Sequence, residues 1–222
     1  KTGGLADVAG VLPRHLHALG HDVRVFMPLY SSMSHGAVRD ASPMATARDV
    51  PLSLGAHRYS FTILESRLPD SSVPLYLVHC PEVYDRPSIY TSGIDEHLRF
   101  LVLQRATLDA CQRMQFAPDI LHCNDWHTAL MPMMLKSVYA WDRLFGATRS
   151  VLSIHNIGYQ GVFPASTTYD LGGVVSHLVS PETLAGGAFN WLREGVRHAH
   201  RVTTVSPTYA KEICTPIGGD DT

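Results

Sequence analysis

Apolar residues at Leu5, Val8, Ala9, Leu12, Leu16 and Leu19 recur at steps of three and four along the start of the chain. That spacing places them on one face of a helix. Gly20 follows as a C-cap, and Pro13, inside the pattern, predicts a kink or a split. The next segment, DVRVFMP over residues 22–28, is a short and mostly apolar strand. A helix that passes at once into such a strand predicts a parallel sheet covered on both faces. Residues 49–68, DVPLSLGAHRYSFTILESRL, alternate around a Gly55-Ala56 turn and predict a hairpin. SSVPLYLVHC gives another strand, PEVYDRPSIYTSGIDEH a long polar loop, and Leu98 to Met114 a second helix. The rhythm of strand and polar turn then resumes in PDILHCNDWHTALMPMMLKSVYA, TRSVLSIHNIGYQGVF and HRVTTVSPTYAKEI, with a helix start in the first and third. In the last of these, Ser206-Pro207 reads as an N-cap followed by proline at the first helical position. The chain is therefore expected to be α/β, with a doubly wound, mostly parallel Rossmann-like sheet, helices on both faces and a β-hairpin insertion.

Composition changes this picture little. The 222 residues are 45% apolar and 17% charged, enough for a sizeable core in one large domain or two small ones. A formal charge of −2 supplies no basic field for nucleic acid. No apolar run approaches the length of a membrane span, and no signal-peptide pattern is present. Cys80, Cys111, Cys123 and Cys214 are far apart with no CxxC spacing, which argues against a structural zinc or a disulfide framework. Cys80 and Cys123 end apolar runs and suit small buried thiols, and a reducing cytoplasm fits them best. The 13 histidines form no HExxH or other metal-ligand pair.

In open α/β sheets, ligands gather beyond the carboxyl ends of the strands. Three polar clusters fall at such places. Lys1-Thr2-Gly3-Gly4 opens a helix, Asn124-Asp125-Trp126-His127 follows ILHC, and His155-Asn156-Ile157-Gly158-Tyr159-Gln160-Gly161 follows VLSI. Gly3 and Gly4 let an anion approach backbone N–H groups at a positive helix end, and Lys1 adds a full charge. The plain alternative is a glycine turn that caps the helix. Asp125 offers a carboxylate, Asn124 an amide, and Trp126 a flat face for a sugar ring; the alternative is an N-cap beside a core tryptophan. His155 at a strand end suits a hydroxyl contact or a proton, unless it is a satisfied structural histidine. Tyr84, Asp85, Arg86 and Tyr90 lie in a loop long enough to be functional or merely solvated.

KTGGLADVAGVLPRHLHALGHDVRVFMPLY resembles the N-terminal signature of bacterial glycogen synthases and plant starch synthases. CNDWHTALMP, SIHNIGYQGVF and VTTVSPTYAKEI resemble three further segments of that family in the same order, with a more bacterial than plant character. The resemblance implies a GT-B enzyme that moves glucose, with retention, from ADP-glucose (UDP-glucose in some members) to the non-reducing end of an α-1,4-glucan. It implies no metal and no other cofactor, so helix ends and cations must offset the leaving diphosphate. Lys1, Gly3 and Gly4 would lie near the diphosphate or the glucose, and His155 and Asp125 near the reaction centre as the catalytic pair. Tyr90, Asn124, Trp126, His127, Asn156 and Gln160 would line the cleft or touch sugars. By the same resemblance, residues 1–222 would be the N-terminal, acceptor-side domain lacking its first strand. The C-terminal nucleotide-binding domain would be absent, and the piece would be inactive alone. Ser88 departs from the glycine expected after YDRP. The implied location is cytoplasmic for a bacterial enzyme and plastidial for a plant one, with no nucleic acid or membrane partner. The competing functions are a non-catalytic glucan-binding module and another GT-B transferase, such as sucrose-phosphate or trehalose-phosphate synthase.

Overall fold

The computed structural model describes residues 3–33, 38, 40–172 and 177–215. Lys1 and Thr2 lie outside the described residues, so the first cluster is represented only by Gly3 and Gly4. The chain divides into two compact units, Lys1–Met114 and Gln115–Thr222.

The first unit opens with α1 (Gly3–Ala18), which runs as one helix through Pro13 rather than splitting there. Its end is the expected glycine cap. Gly20 has φ +93°, its N–H donates to the His17 carbonyl, and the His21 N–H reaches back to the Leu16 carbonyl. These are the two bonds of a Schellman motif. The strands are β1 (Val25–Pro28), β2 (Ser42–Pro43), β3 (Val50–Leu54), β4 (His57–Arg67) and β5 (Pro74–His79). The sheet order is β1-β5-β4-β2, with β3 paired to β4. Only β1 and β5 are parallel; the hairpin strands β3 and β4, joined at Gly55 and Ala56, run antiparallel and make the sheet mixed. In β5 the run Leu75-Tyr76-Leu77-Val78 is buried throughout, as in a strand covered on both faces. After α2 (Pro81–Tyr84), the helix α3 (Glu96–Arg113) buries Leu101, Val102, Ala106, Leu108 and Ala110 completely. Each buried leucine contributes on the order of 1.5–3 kcal/mol.

The second unit holds β6 (Ile120–Asn124), β7 (Arg149–Ile154) and β10 (Arg201–Thr204) in a three-stranded, wholly parallel sheet of order β10-β7-β6. All three strands therefore end on one edge. β8 (Val162–Pro164) and β9 (Ala188–Asn190) form a small antiparallel pair that the hydrophobic pattern does not announce. The helices are α4 (Met131–Leu135), α5 (Pro181–Gly186), α6 (Trp191–His198) and α7 (Pro207–Glu212). α7 starts as expected: the Ser206 hydroxyl accepts from the Tyr209 N–H at 3.0 Å, with Pro207 next. Cys80, Cys111 and Cys123 are buried, and burial pushes each thiol up to about 12. Among the described residues, no helix is long and apolar enough to cross a membrane.

Candidate active site

Two of the three polar clusters meet at the carboxyl edge of the second unit's sheet. β6 delivers Asn124 and Asp125; its neighbour β7 delivers His155 and Asn156. The register pairs Asn124 with Ser153, so the two turns leave the sheet side by side.

Asp125 is the centre of this corner. It is buried, and its backbone sits at φ 54° and ψ −173°, a region that is strained for any residue but glycine. Its own N–H donates to the Ser153 carbonyl at 2.9 Å. Its carboxylate Oδ1 accepts the N–H of His155 at 2.7 Å and that of Asn156 at 3.2 Å. Burial pushes the carboxyl upward, and the two backbone donors pull it back. The helix-cap alternative, by Asn124 or Asp125, fails: the Asp125 side chain makes no cap bond to the 3₁₀ turn Trp126–Thr128, and the Asn124 amide oxygen is turned to His155. The carboxylate instead fixes the direction in which the chain leaves β7.

His155 is oriented by that clamp and by Asn124, whose Oδ1 lies 2.9 Å from Nε2. The other ring nitrogen, Nδ1, is buried with no hydrogen-bond partner among the described residues. A structural histidine of the fully satisfied kind would have both nitrogens met. Asn156 Oδ1 accepts from the Gly158 N–H at 3.0 Å and closes a local turn. Further along, the Ile157 N–H donates to the Tyr209 hydroxyl at 2.9 Å. Gln160 receives the Asn190 amide on its side chain at 2.5 Å and the Leu192 N–H on its carbonyl at 3.0 Å.

Trp126 takes the core role that the sequence left open beside the cleft role. Its indole is 8% exposed, packed against Phe163 and Trp191 at ring distances of 5.6 and 5.8 Å. The loop returns directly over it at Gly161, with φ +65°. A Cβ there would stand 2.5 Å from Trp126 Cε3, so the position accepts only glycine without a rearrangement. His127 packs against Trp126 with ring centres 4.2 Å apart and planes tilted by 32°, and burial pushes its imidazole down to about 3. Burial thus favours the neutral ring at neutral pH, which carries no imidazolium proton to give.

In the first unit, Gly3 and Gly4 are the first residues of α1, and a Cβ on Gly4 would meet open space. Tyr90 is half exposed in the loop after α2. That loop is anchored rather than loose. Arg86 pairs with Asp95 at 2.5 Å, the Thr91 hydroxyl bonds Glu96, and the buried Tyr84 donates to the Arg99 carbonyl at 2.8 Å. Tyr209 was not singled out from the sequence; the only signal for it is its place three residues after the cap Ser206.

The family described as the starch synthase catalytic domain matches residues 1–222. The glycogen synthase of Aeromonas salmonicida (strain A449) is 38% identical over 222 residues, covering 98% of this chain and 44% of its own length. That of Photobacterium profundum is 37% identical over 228 residues, covering 98% and 43%. The chain thus spans about half the length of the curated relatives it matches. The solved catalytic domain of starch synthase IV from Arabidopsis thaliana, bound to ADP and acarbose, superposes with a TM-score of 0.88 at 30% identity. That match covers 99% of this chain and 45% of the other. With its whole length matched and both site turns built on adjacent parallel strands, the chain belongs to the starch synthase catalytic domain family.

Proposed function

We propose that this chain is the acceptor-side part of a retaining glucosyltransferase that moves glucose from ADP-glucose to the non-reducing end of an α-1,4-glucan. The observation that carries the reading is the corner at the sheet edge, where the Asp125 carboxylate holds the His155 and Asn156 amides. Ligands of open α/β sheets collect at such an edge, and strained backbone gathers at functional sites. The matches to glycogen synthases, and to a starch synthase bound to ADP and acarbose, support the substrate class.

In this reading His155 contacts the donor sugar near the reacting carbon. Asp125 acts through it, by holding the loop in register, because its carboxylate is already occupied by backbone donors. The resemblance to glycogen and starch synthases also assigns Lys1, Gly3 and Gly4 to donor binding, a role that suits a cation and a helix N-terminus. The reaction needs no metal, since these groups supply the positive field. By the family resemblance, the opposing cations and the nucleoside contacts of a GT-B site come from a second domain, so turnover is read on the full-length enzyme.

A full-length enzyme carrying this chain tests the reading. His155→Ala should lower kcat and kcat/KM for ADP-glucose together, the mark of an interaction gained in the transition state. A variant with normal kcat and only a raised KM would remove His155 from the reaction centre. Glucan binding with no ADP-glucose turnover in the unmodified enzyme would favour the binding-module alternative.

A further inference from the structure

His155 has two ring nitrogens in different surroundings. Nε2 faces the Asn124 amide oxygen at 2.9 Å, while Nδ1 is buried with no partner among the described residues. An amide oxygen only accepts, so Nε2 must carry the proton for this contact to be a hydrogen bond. The Nδ1–H tautomer would set two lone pairs against each other and bury an unpaired N–H. Of the two tautomers only Nε2–H satisfies the ring's donor, and an unmet acceptor lone pair is the smaller penalty.

We infer that Asn124 is a positioning residue that fixes His155 in its Nε2–H tautomer. Its means are favourable for that task. The Asn124 main chain is held independently of the side chain: its N–H donates to the Thr128 hydroxyl at 2.7 Å, and that hydroxyl donates to the Asn124 carbonyl at 3.0 Å. Asn124 also pairs with Ser153 in the β6–β7 ladder, one strand away from the turn that presents His155. The amide therefore reaches Nε2 from a rigid strand end, not from a loop. The consequence is a restriction on what His155 can recognise. Nδ1 is left with a lone pair, which, once that buried nitrogen is uncovered, meets a hydroxyl donor and rejects an unprotonated phosphate oxygen.

The tautomer follows from the fold alone; the kinetic consequence rests on the reading that His155 contacts the donor sugar. Nitrogen-15 NMR of the histidine-labelled full-length enzyme, with His155→Gln to assign the signal, reports which nitrogen is protonated. The unmodified enzyme should show protonated Nε2 and bare Nδ1. Asn124→Asp, which keeps an acceptor oxygen, should retain proton occupancy at Nε2. Asn124→Leu should let the Nδ1–H form appear and lower donor kcat/KM about tenfold, the scale of one lost hydrogen bond. A bare Nε2 in the unmodified enzyme would mean that the amide nitrogen faces the ring, and would overturn the proposal even if Asn124→Leu fails to fold. An Asn124→Leu signal identical to the unmodified one would overturn it as well. A tautomer change with unaltered donor kinetics would uphold Asn124 as the tautomer-setting residue and sink the sugar contact of His155 instead.

Discussion

Two buried acids, one in each unit, are neutralised in opposite ways. In the first unit Glu96 sits beside Arg99, whose guanidinium is fully buried and donates to both carboxylate oxygens at 2.9 and 3.0 Å. The same guanidinium reaches the Val83 carbonyl at 2.8 Å and so ties α2 to α3. In the second unit Asp125 has no cation within salt-bridge distance among the described residues; two backbone N–H groups serve in its place. Glu96 also accepts the Thr91 N–H at 3.2 Å, but the ion pair itself joins two side chains one turn apart on α3. A carboxylate clamped on backbone amides dictates main-chain geometry directly, and here it does so from a strained φ of 54°. The first device fastens one helix to another. The second aims a loop, and that loop carries His155.

The comparison predicts different mutational signatures, beginning with the largest. Arg99→Met leaves Glu96 buried without its partner and should cost about 3–5 kcal/mol of stability. Adding Glu96→Leu should recover the part of that loss due to the unpaired charge, while the Val83 carbonyl and the Thr91 N–H still lack their partners. Urea unfolding of the three proteins measures both steps. A double variant as unstable as the single one would show that the lost backbone contacts, and not the unpaired charge, dominate, and the contrast with Asp125 would collapse.

Asp125→Ala should cost less stability, on the order of 1–3 kcal/mol for the lost charged acceptor, but should nearly abolish turnover. Asp125→Asn keeps one acceptor oxygen and should recover part of both. No apolar replacement of a neighbour can rescue it, because the groups left unmet belong to the backbone. Unfolding curves and initial rates, taken on the same preparations, separate the two devices. Turnover preserved in Asp125→Ala would mean that the loop finds its direction without the clamp.

Acid provides a third handle on the second unit. Burial holds His127 at about 3, against an ordinary imidazole value of 6.5. A depressed histidine contributes stability that is complete above pH 6.5 and is lost as pH falls from 6.5 toward 3. The slope is about 1.4 kcal/mol per pH unit within that window. His127→Gln should be less stable at about pH 7.5 but flatter between about pH 6.5 and 5. Parallel pH profiles for the two proteins would show that the buried ring does not govern the acid limb.

Much of this was legible in the sequence where the cause is local. The Gly20 cap, the Gly55-Ala56 turn and the Ser206-Pro207 helix start each depend on residues within a few positions, and each stands as expected. Pro13 shows the limit of such rules. Proline removes one N–H and crowds one carbonyl; of the kink or split that this predicts, α1 excludes the split by running through Pro13 as one helix. The site was legible as a set of residue types at strand ends, and its roles were not. Asp125 meets backbone 30 positions away, Trp126 is walled in by Phe163 and Trp191, and Tyr209 reaches Ile157 across 52 positions. Long-range partners of this kind depend on which elements become neighbours in the fold, which the local patterns here do not encode.

The smallest effect should come from Tyr209, and it is the most specific probe of how the loop is held. Tyr209→Phe removes one oxygen. The N-cap of α7 uses the Tyr209 backbone N–H and the Ser206 hydroxyl, so the helix start is untouched. What is lost is the acceptor for the Ile157 N–H, two residues beyond His155. A neutral hydrogen bond contributes about 0.5–1.5 kcal/mol, so the stability change should stay within that range. Since the Asp125 clamp remains, His155 should keep its place but with more freedom, and kcat should fall by less than about tenfold. Hydrogen exchange then decides between a local tether and a general loosening. The Ile157 amide should exchange faster in Tyr209→Phe, while the amides of α7 and of β7 keep their unmodified rates. Equal acceleration across α7 would mean that the hydroxyl supports the helix, and unchanged exchange at Ile157 would mean that the loop rests on Asp125 and Asn190 alone.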